Sequence, residues 1–257
     1  ADAAEVEIPS SFNPVGSGAR ALGFGGAFIA VADDATAASW NPGGLTQLRK
    51  PECSIVGSFF HRGEDLTFGT NPEADGSHSV SDQNINYLSV TYPFELSEYN
   101  MVFSLSYQHL YDFHREWEWN SNQKGAGIEA YDNWSYQQTG SLTAVGISYC
   151  IRIIPQVSAG FTLNFWDDGL TSNNWEEKYQ SITSGTIDGE TLDTEFDEIE
   201  EYSLKGFNYN LGILWNINSQ WKLGAVFKSP FKADVEHKSK QHVLRLSPVY
   251  KTDYRDY

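Results

Sequence analysis

The chain reads as an all-β protein, and more narrowly as a transmembrane antiparallel β-barrel, on three observations. From Cys53 onward apolar residues recur at every second position. Short and long connections between the alternating segments follow one another in strict order. Tryptophans collect near the segment ends, in a chain that carries 8 Trp, 14 Tyr and 15 Phe.

The strands follow in order. A weaker first strand runs from Cys53 to His61, and a second carries Leu88, Val90, Tyr92 and Phe94. The third carries Met101, Phe103, Leu105 and Tyr107; the fourth Val145, Ile147, Tyr149 and Ile151; the fifth Val157, Ala159, Phe161, Leu163 and Phe165. Phe207, Tyr209, Leu211, Ile213 and Trp215 mark the sixth, and Leu223, Ala225 and Phe227 the seventh. Side chains alternate across a strand, so these residues share one face while intervening Gly, Ser, Thr and Asn share the other. No segment has a long helical period.

The connections decide between a soluble sandwich and a membrane barrel. "ELSEYN", "RIIPQ" and "NINSQ" are short turns, whereas His61 to Gln83, His114 to Tyr136, Asp167 to Glu201 and the tail after Lys232 are predicted as long loops. All short turns then fall at one end of the sheet and all long loops at the other, the asymmetry of an outer-membrane barrel. In such a barrel the apolar face meets lipid and the small polar face lines the lumen, which reconciles a mean hydropathy of -0.43 with a membrane protein. Trp117, Trp119, Trp134, Trp166 and Trp175 at the long-loop ends, with Trp215 and Trp221 around a short turn, are read as interfacial girdles. Single-chain bacterial barrels have even strand numbers, so seven strands imply about half a barrel, with the remainder of the barrel expected to be missing from this chain. The expected organisation is an N-terminal unit over 1–50 and the first half of a barrel over 51–257, ending in an extracellular loop.

Charge narrows the partners. With 34 acidic against 17 basic residues and a net charge of -17, nucleic acid is excluded, because phosphate binding rests on Lys and Arg. Between Asp167 and Glu201 twelve Asp or Glu face only Lys178, an expected solvated loop or a cation-mediated contact with anionic lipopolysaccharide. "DTEFDEIEE" lacks the spacing of a calcium loop. Cys53 and Cys150 match no metal or redox spacing, the six histidines form no metal-spaced pair, and no Gly-x-Ser-x-Gly elbow is present. No catalytic residue, metal ligand or cofactor is therefore assigned. No apolar run reaches the roughly 18 residues of a membrane-spanning helix, and the start "ADAAEVE" fits a mature end left by signal cleavage.

The stretch "GSGARALGFGGAFIAVADDATAASWNPGGL", Gly16 to Leu45, needs its own account. Gly16, Gly18 and Ala21 satisfy a dinucleotide-binding pattern, but no buried strand delivers the chain into that turn, so the phosphate reading fails. Its glycines permit close backbone approach, and Phe24, Phe28, Ile29, Trp40 and Leu45 supply an apolar surface fit for a hydrophobic pocket.

The run from Gly18 to Leu45 resembles the N-terminal plug segment of the FadL/TodX family of outer-membrane transporters for long-chain fatty acids and aromatic hydrocarbons. "LGAVFKSPFKADV", Leu223 to Val235, is a second, shorter likeness, to the family's seventh strand and its exit. The resemblance implies a barrel of the fourteen-stranded type, about seven strands of it in this chain, with an N-terminal hatch in the lumen. It implies passive passage of a hydrophobic small molecule, captured by extracellular loops, held inside, and released through a lateral gap at a kinked third strand. The hatch motif falls on Asn41, Pro42 and Gly43, with Gly43 where the family has Ala, and the kinked strand on Asn100 to Tyr111, whose Phe103, Leu105 and Tyr107 would form the lateral gate. FadL-like barrels also anchor or carry partner proteins, so a structural or secretion-associated role is the alternative.

Overall fold

The computed structural model describes residues 16–69 and 72–245; the "ADAAEVE" start and the end of the predicted tail lie outside them. The described residues form one antiparallel ten-stranded sheet. Its strands are β1 (Glu52–Leu66), β2 (Gly76–Leu96), β3 (Tyr99–Asp112), β4 (Arg115–Gly125), β5 (Ile128–Ile154), β6 (Val157–Asp167), β7 (Asn173–Ile187), β8 (Glu190–Asn216), β9 (Lys222–Lys228) and β10 (Lys232–Arg245). The path β1-β2-β3-β5-β6-β8-β10 has seven positions. β4 continues β3 along β5, β7 continues β6 between β5 and β8, and β9 precedes β10 along β8. Each pair is one crossing broken by a few residues.

The predicted long loops are corrected here: among the described residues, three of the four stretches are mostly strand, and the first, His61 to Gln83, is two strand ends around a short connection. β5 and β8 each run 27 residues, a contour of about 90 Å at roughly 3.3 Å per residue. A barrel strand crosses a bilayer in about 9–11 residues, so most of each strand stands beyond the lipid. Tight turns close these tall hairpins. At Asp188-Gly189 both φ angles are positive, 50° and 82°, a pairing whose twist matches the flanking strands and which Gly adopts without strain.

The two faces are the reverse of those in a soluble sheet. Val90, Leu105, Leu211 and Ile213 are 59%, 47%, 46% and 51% exposed, while Thr91, Ser104, Ser148 and Thr162 are fully buried. The buried hydroxyls pair across strands, Thr91 with Ser104 at 2.7 Å and Ser148 with Thr162 at 2.8 Å, which satisfies these groups inside the wall. An apolar belt turned outward is stable where the solvent is lipid.

The girdle reading of five tryptophans is also corrected. Trp166 and Trp175 are buried in an inward cluster with Phe113, Leu142, Ala144 and Leu204. Trp117 and Trp119 lie opposite Tyr136 and Trp134 on the same inner face. Trp215 and Trp221 do project outward, 46% and 64% exposed beside the short turn.

Against the inner face lies the N-terminal segment, built of α1 (Ala19–Gly23), α2 (Ala37–Trp40) and a 3-10 turn (Pro42–Gln47). Phe28, Leu45, Leu48 and five buried alanines form its core, which closes on Val102 of β3 and Cys150 of β5.

Candidate functional site

The segment is seated by main chain more than by side chains. Gly160 of β6 and Gly212 of β8 are direct partners in the sheet. A Cβ on Gly160 would lie 2.6 Å from the Pro42 carbonyl oxygen, one on Gly212 would overlap Asn41 Oδ1, and one on Gly224 of β9 would lie 2.6 Å from the Ile29 carbonyl oxygen. The three glycines thus form a bare track on which residues 29–30 and 41–43 rest, a contact that any side chain would close.

Asn41 locks this seat. It is fully buried; its Nδ2 donates to the carbonyl oxygens of Ile29 (2.8 Å) and Ile213 (3.1 Å), and its Oδ1 accepts the Gly43 N–H (2.9 Å). Pro42 at the first turn lacks the N–H that would otherwise be orphaned. Wall side chains complete the attachment: Ser158 Oγ donates to the Gly43 carbonyl at 2.6 Å, Thr162 Oγ1 to Ala38 at 2.7 Å, Tyr87 Oη to Ala35 at 2.8 Å and Arg152 Nη2 to Thr46 at 2.7 Å. Single-sequence reasoning missed these four anchors. The only signal is their position on the polar parity of each strand.

The five apolar residues named from sequence fall into two sets. Phe28 and Leu45 are fully buried in the segment core, and Trp40 packs edge-on against Phe28 with its Nε1–H donated to the Ser17 carbonyl at 2.9 Å. Phe24 and Ile29 are exposed, with Leu22 beside them. Arg20 stacks over Phe28 and pairs with Asp33, fixing the turn between these sets.

The wall is not uniformly laddered. β2 pairs with β3 from Leu96↔Tyr99 up to Tyr87↔Gln108 and no further. Beyond that point β2 stays with β1, with a register shift at Val56/Gly57, and β3 stays with β5, with a shift at His109/Tyr111. The His109 bulge is held by Nε2–H donated to the Tyr111 carbonyl at 2.9 Å. A bulge re-aims its strand, and here two of them part β2 from β3. The resulting seam is crossed by side chains: Trp117 Nε1–H donates to Glu64 Oε2 at 2.7 Å, and Asn84 Nδ2 to Asp112 Oδ2 at 2.7 Å. On the outer face below the seam, Ile55, Leu88, Val90, Leu105, Tyr107 and Val145 line a groove of about 590 Å³. Phe103 and Leu105 are exposed on this face and Tyr107 half-buried.

Above the segment, rings form ladders across neighbouring strands. Trp175, Tyr202 and His237 stack at 4.6 and 4.4 Å within 7° of parallel. Trp117, Tyr136 and Tyr179 follow at 5.7 and 4.7 Å, with the Arg115 guanidinium over Trp117. Tyrosine hydroxyls turn to carboxylates, Tyr202 to Glu200 at 2.5 Å and Tyr179 to Glu177 at 3.1 Å. Burial, then the adjacent Glu177 charge, pushes the Tyr179 phenol up to about 12. The Tyr202 phenol moves the same way through burial and Glu200. Both stay neutral donors, and the inner wall presents ring faces edged by negative charge.

An outward apolar belt, an inward polar face, a segment seated inside and a parted seam are the parts of a membrane conduit. No curated protein and no solved structure matches the chain significantly. A family model, described as outer membrane protein transport protein (OMPP1/FadL/TodX), matches residues 11–249. The chain belongs to that family, whose members are outer-membrane β-barrel transporters rather than enzymes, and its place is the outer membrane.

Proposed function

We propose that the protein carries hydrophobic small molecules, long-chain fatty acids or aromatic hydrocarbons, passively across the outer membrane, with the N-terminal segment as the hatch of a fourteen-stranded barrel. The observation that carries this reading is the segment's division of labour. One side is seated on the glycine track, while the other presents Leu22, Phe24 and Ile29 unburied. Cargo slides down the ring ladders, meets this apolar side, and leaves at the β2–β3 seam into the outer groove beside Leu105 and Tyr107.

Burial of about 300 Å² of cargo at roughly 25 cal/mol per Å² supplies about 7–8 kcal/mol, a micromolar affinity. On the outer face, Lys178, Lys205, Lys238 and Lys240 stand paired with Glu176, Asp167, Glu236 and Glu201, a charge layer suited to lipopolysaccharide headgroups. The test is binding of a fluorescent long-chain fatty acid and of a polyaromatic probe to the purified full chain in detergent. Phe24→Asp should weaken the bound probe at least tenfold without loosening the seat. Wild-type affinity in Phe24→Asp and Ile29→Asp alike would refute the reading.

A further inference from the structure

The seam between β2 and β3 carries a side-chain cluster that transport of a hydrophobe does not use. Asp82 comes from β2, Asp112 from the end of β3, and His114 from the break before β4. One ligating atom of each lies within 4.8 Å of the others. His114 Nδ1 and Asp82 Oδ2 are 3.6 Å apart. Two metal bonds of about 2.1 Å at a tetrahedral angle separate their donors by about 3.4 Å, so this pair is already spaced as ligands. Asn84 Nδ2 stands between the two carboxylates, 2.6 Å from Asp82 Oδ2 and 2.7 Å from Asp112 Oδ2. A 180° turn of that amide would present Oδ1 as a fourth oxygen or nitrogen donor.

The geometry points to a divalent transition-metal site, Asp82, Asp112 and His114 with Asn84, that joins β2 to β3 where their ladder stops. Two carboxylates held this close, one of them buried, favour a cation between them. Mixed imidazole and carboxylate donors suit zinc, whereas magnesium and calcium take oxygen shells. The bound ion would replace missing ladder hydrogen bonds with coordination across the seam. His109 is not counted as a ligand, since its Nε2–H is committed to the Tyr111 carbonyl.

The experiment is calorimetric titration of the full chain, stripped with a chelator and held in detergent, with Zn²⁺ alone and then with Mg²⁺ and Ca²⁺. One Zn²⁺ per chain with a micromolar dissociation constant is expected, with at least a hundredfold weaker response to the other two. Asp112 is buried, so its replacement risks the fold; His114→Ala and Asp82→Asn, at partly exposed positions, should each weaken Zn²⁺ at least tenfold. His237→Ala, in the ring ladder, should leave it unchanged. Zinc should also slow amide exchange through 109–117. Absence of saturable Zn²⁺ binding, or wild-type affinity in both His114→Ala and Asp82→Asn, would overturn the site. No cargo enters the measurement, so that failure would leave the transport reading standing.

Discussion

Gly212→Ala is the sharpest test of the seat. The new Cβ would overlap Asn41 Oδ1 and come within 2.8 Å of the Gly43 nitrogen, so the Asn41 amide must withdraw. Withdrawal breaks its hydrogen bonds to Ile29, Ile213 and Gly43. At about 1 kcal/mol net per bond, with part of the roughly 1–3 kcal/mol cost of an unsatisfied buried group, docking should weaken by about 3–5 kcal/mol. That is roughly a hundred- to several-thousandfold rise in the undocked population. Amide exchange across 27–46 in the refolded full chain reads that population, with Gly63→Ala as control, since a Cβ there meets nothing within 4 Å. On an Asn41→Ala background Gly212→Ala should cost less, because the overlap with Oδ1 is gone and only the approaches to the Gly43 nitrogen and Pro42 Cδ remain. Exchange in Gly212→Ala within twofold of both wild type and the control would refute the main-chain seat.

Three further outcomes follow from the faces, the seam and the rings. Leu211→Arg places a cation on the lipid side and should cost about 2–4 kcal/mol of folding stability in liposomes, whereas an effect below 1 kcal/mol would remove Leu211 from the lipid belt. Trp117→Phe keeps the ring and deletes the bond to Glu64 across the seam; amides 115–119 should exchange several-fold faster, and unchanged rates would show that the bond does not hold the seam. Tyr179 titrates at about 12 in the folded chain against about 10 unfolded. Its contribution to stability is whole below pH 10 and is lost as pH rises toward 12, so tyrosinate absorbance should lag in wild type and Tyr179→Phe should remove part of the lag.

How much was legible depended on solvent. Where strands cross lipid, one face is apolar and the other small and polar, and period two is plain, as in Phe207 to Trp215. Beyond the lipid both faces carry polar or charged residues, so stretches such as Thr191 to Glu201 lose their alternation and read as loop, although they are strand. The missed signal was Asp188-Gly189, a hairpin turn pair that announces two flanking strands. The tryptophans were placed by height but not by face, because the outward and inward parities are indistinguishable once the alternation fades. Asn41-Pro42-Gly43 was found from its likeness alone, and its role as a lock on the wall emerged only with Ile213 and Gly212 in place. The residues themselves do not announce the seam: it is an absence of pairing between β2 and β3 beyond Tyr87 and Gln108, and no residue type encodes a missing ladder.

The bare glycine track has a consequence for redesign. Because the wall reads the segment's backbone, it dictates where side chains must be lacking and says little about which ones the far side displays. Leu22, Phe24 and Ile29 can then be exchanged for rings, branched chains or hydroxyls while the seat is left untouched. On the proposed transport reading, cargo preference and attachment are separately editable, and a library confined to those three positions would search chemistry without searching stability.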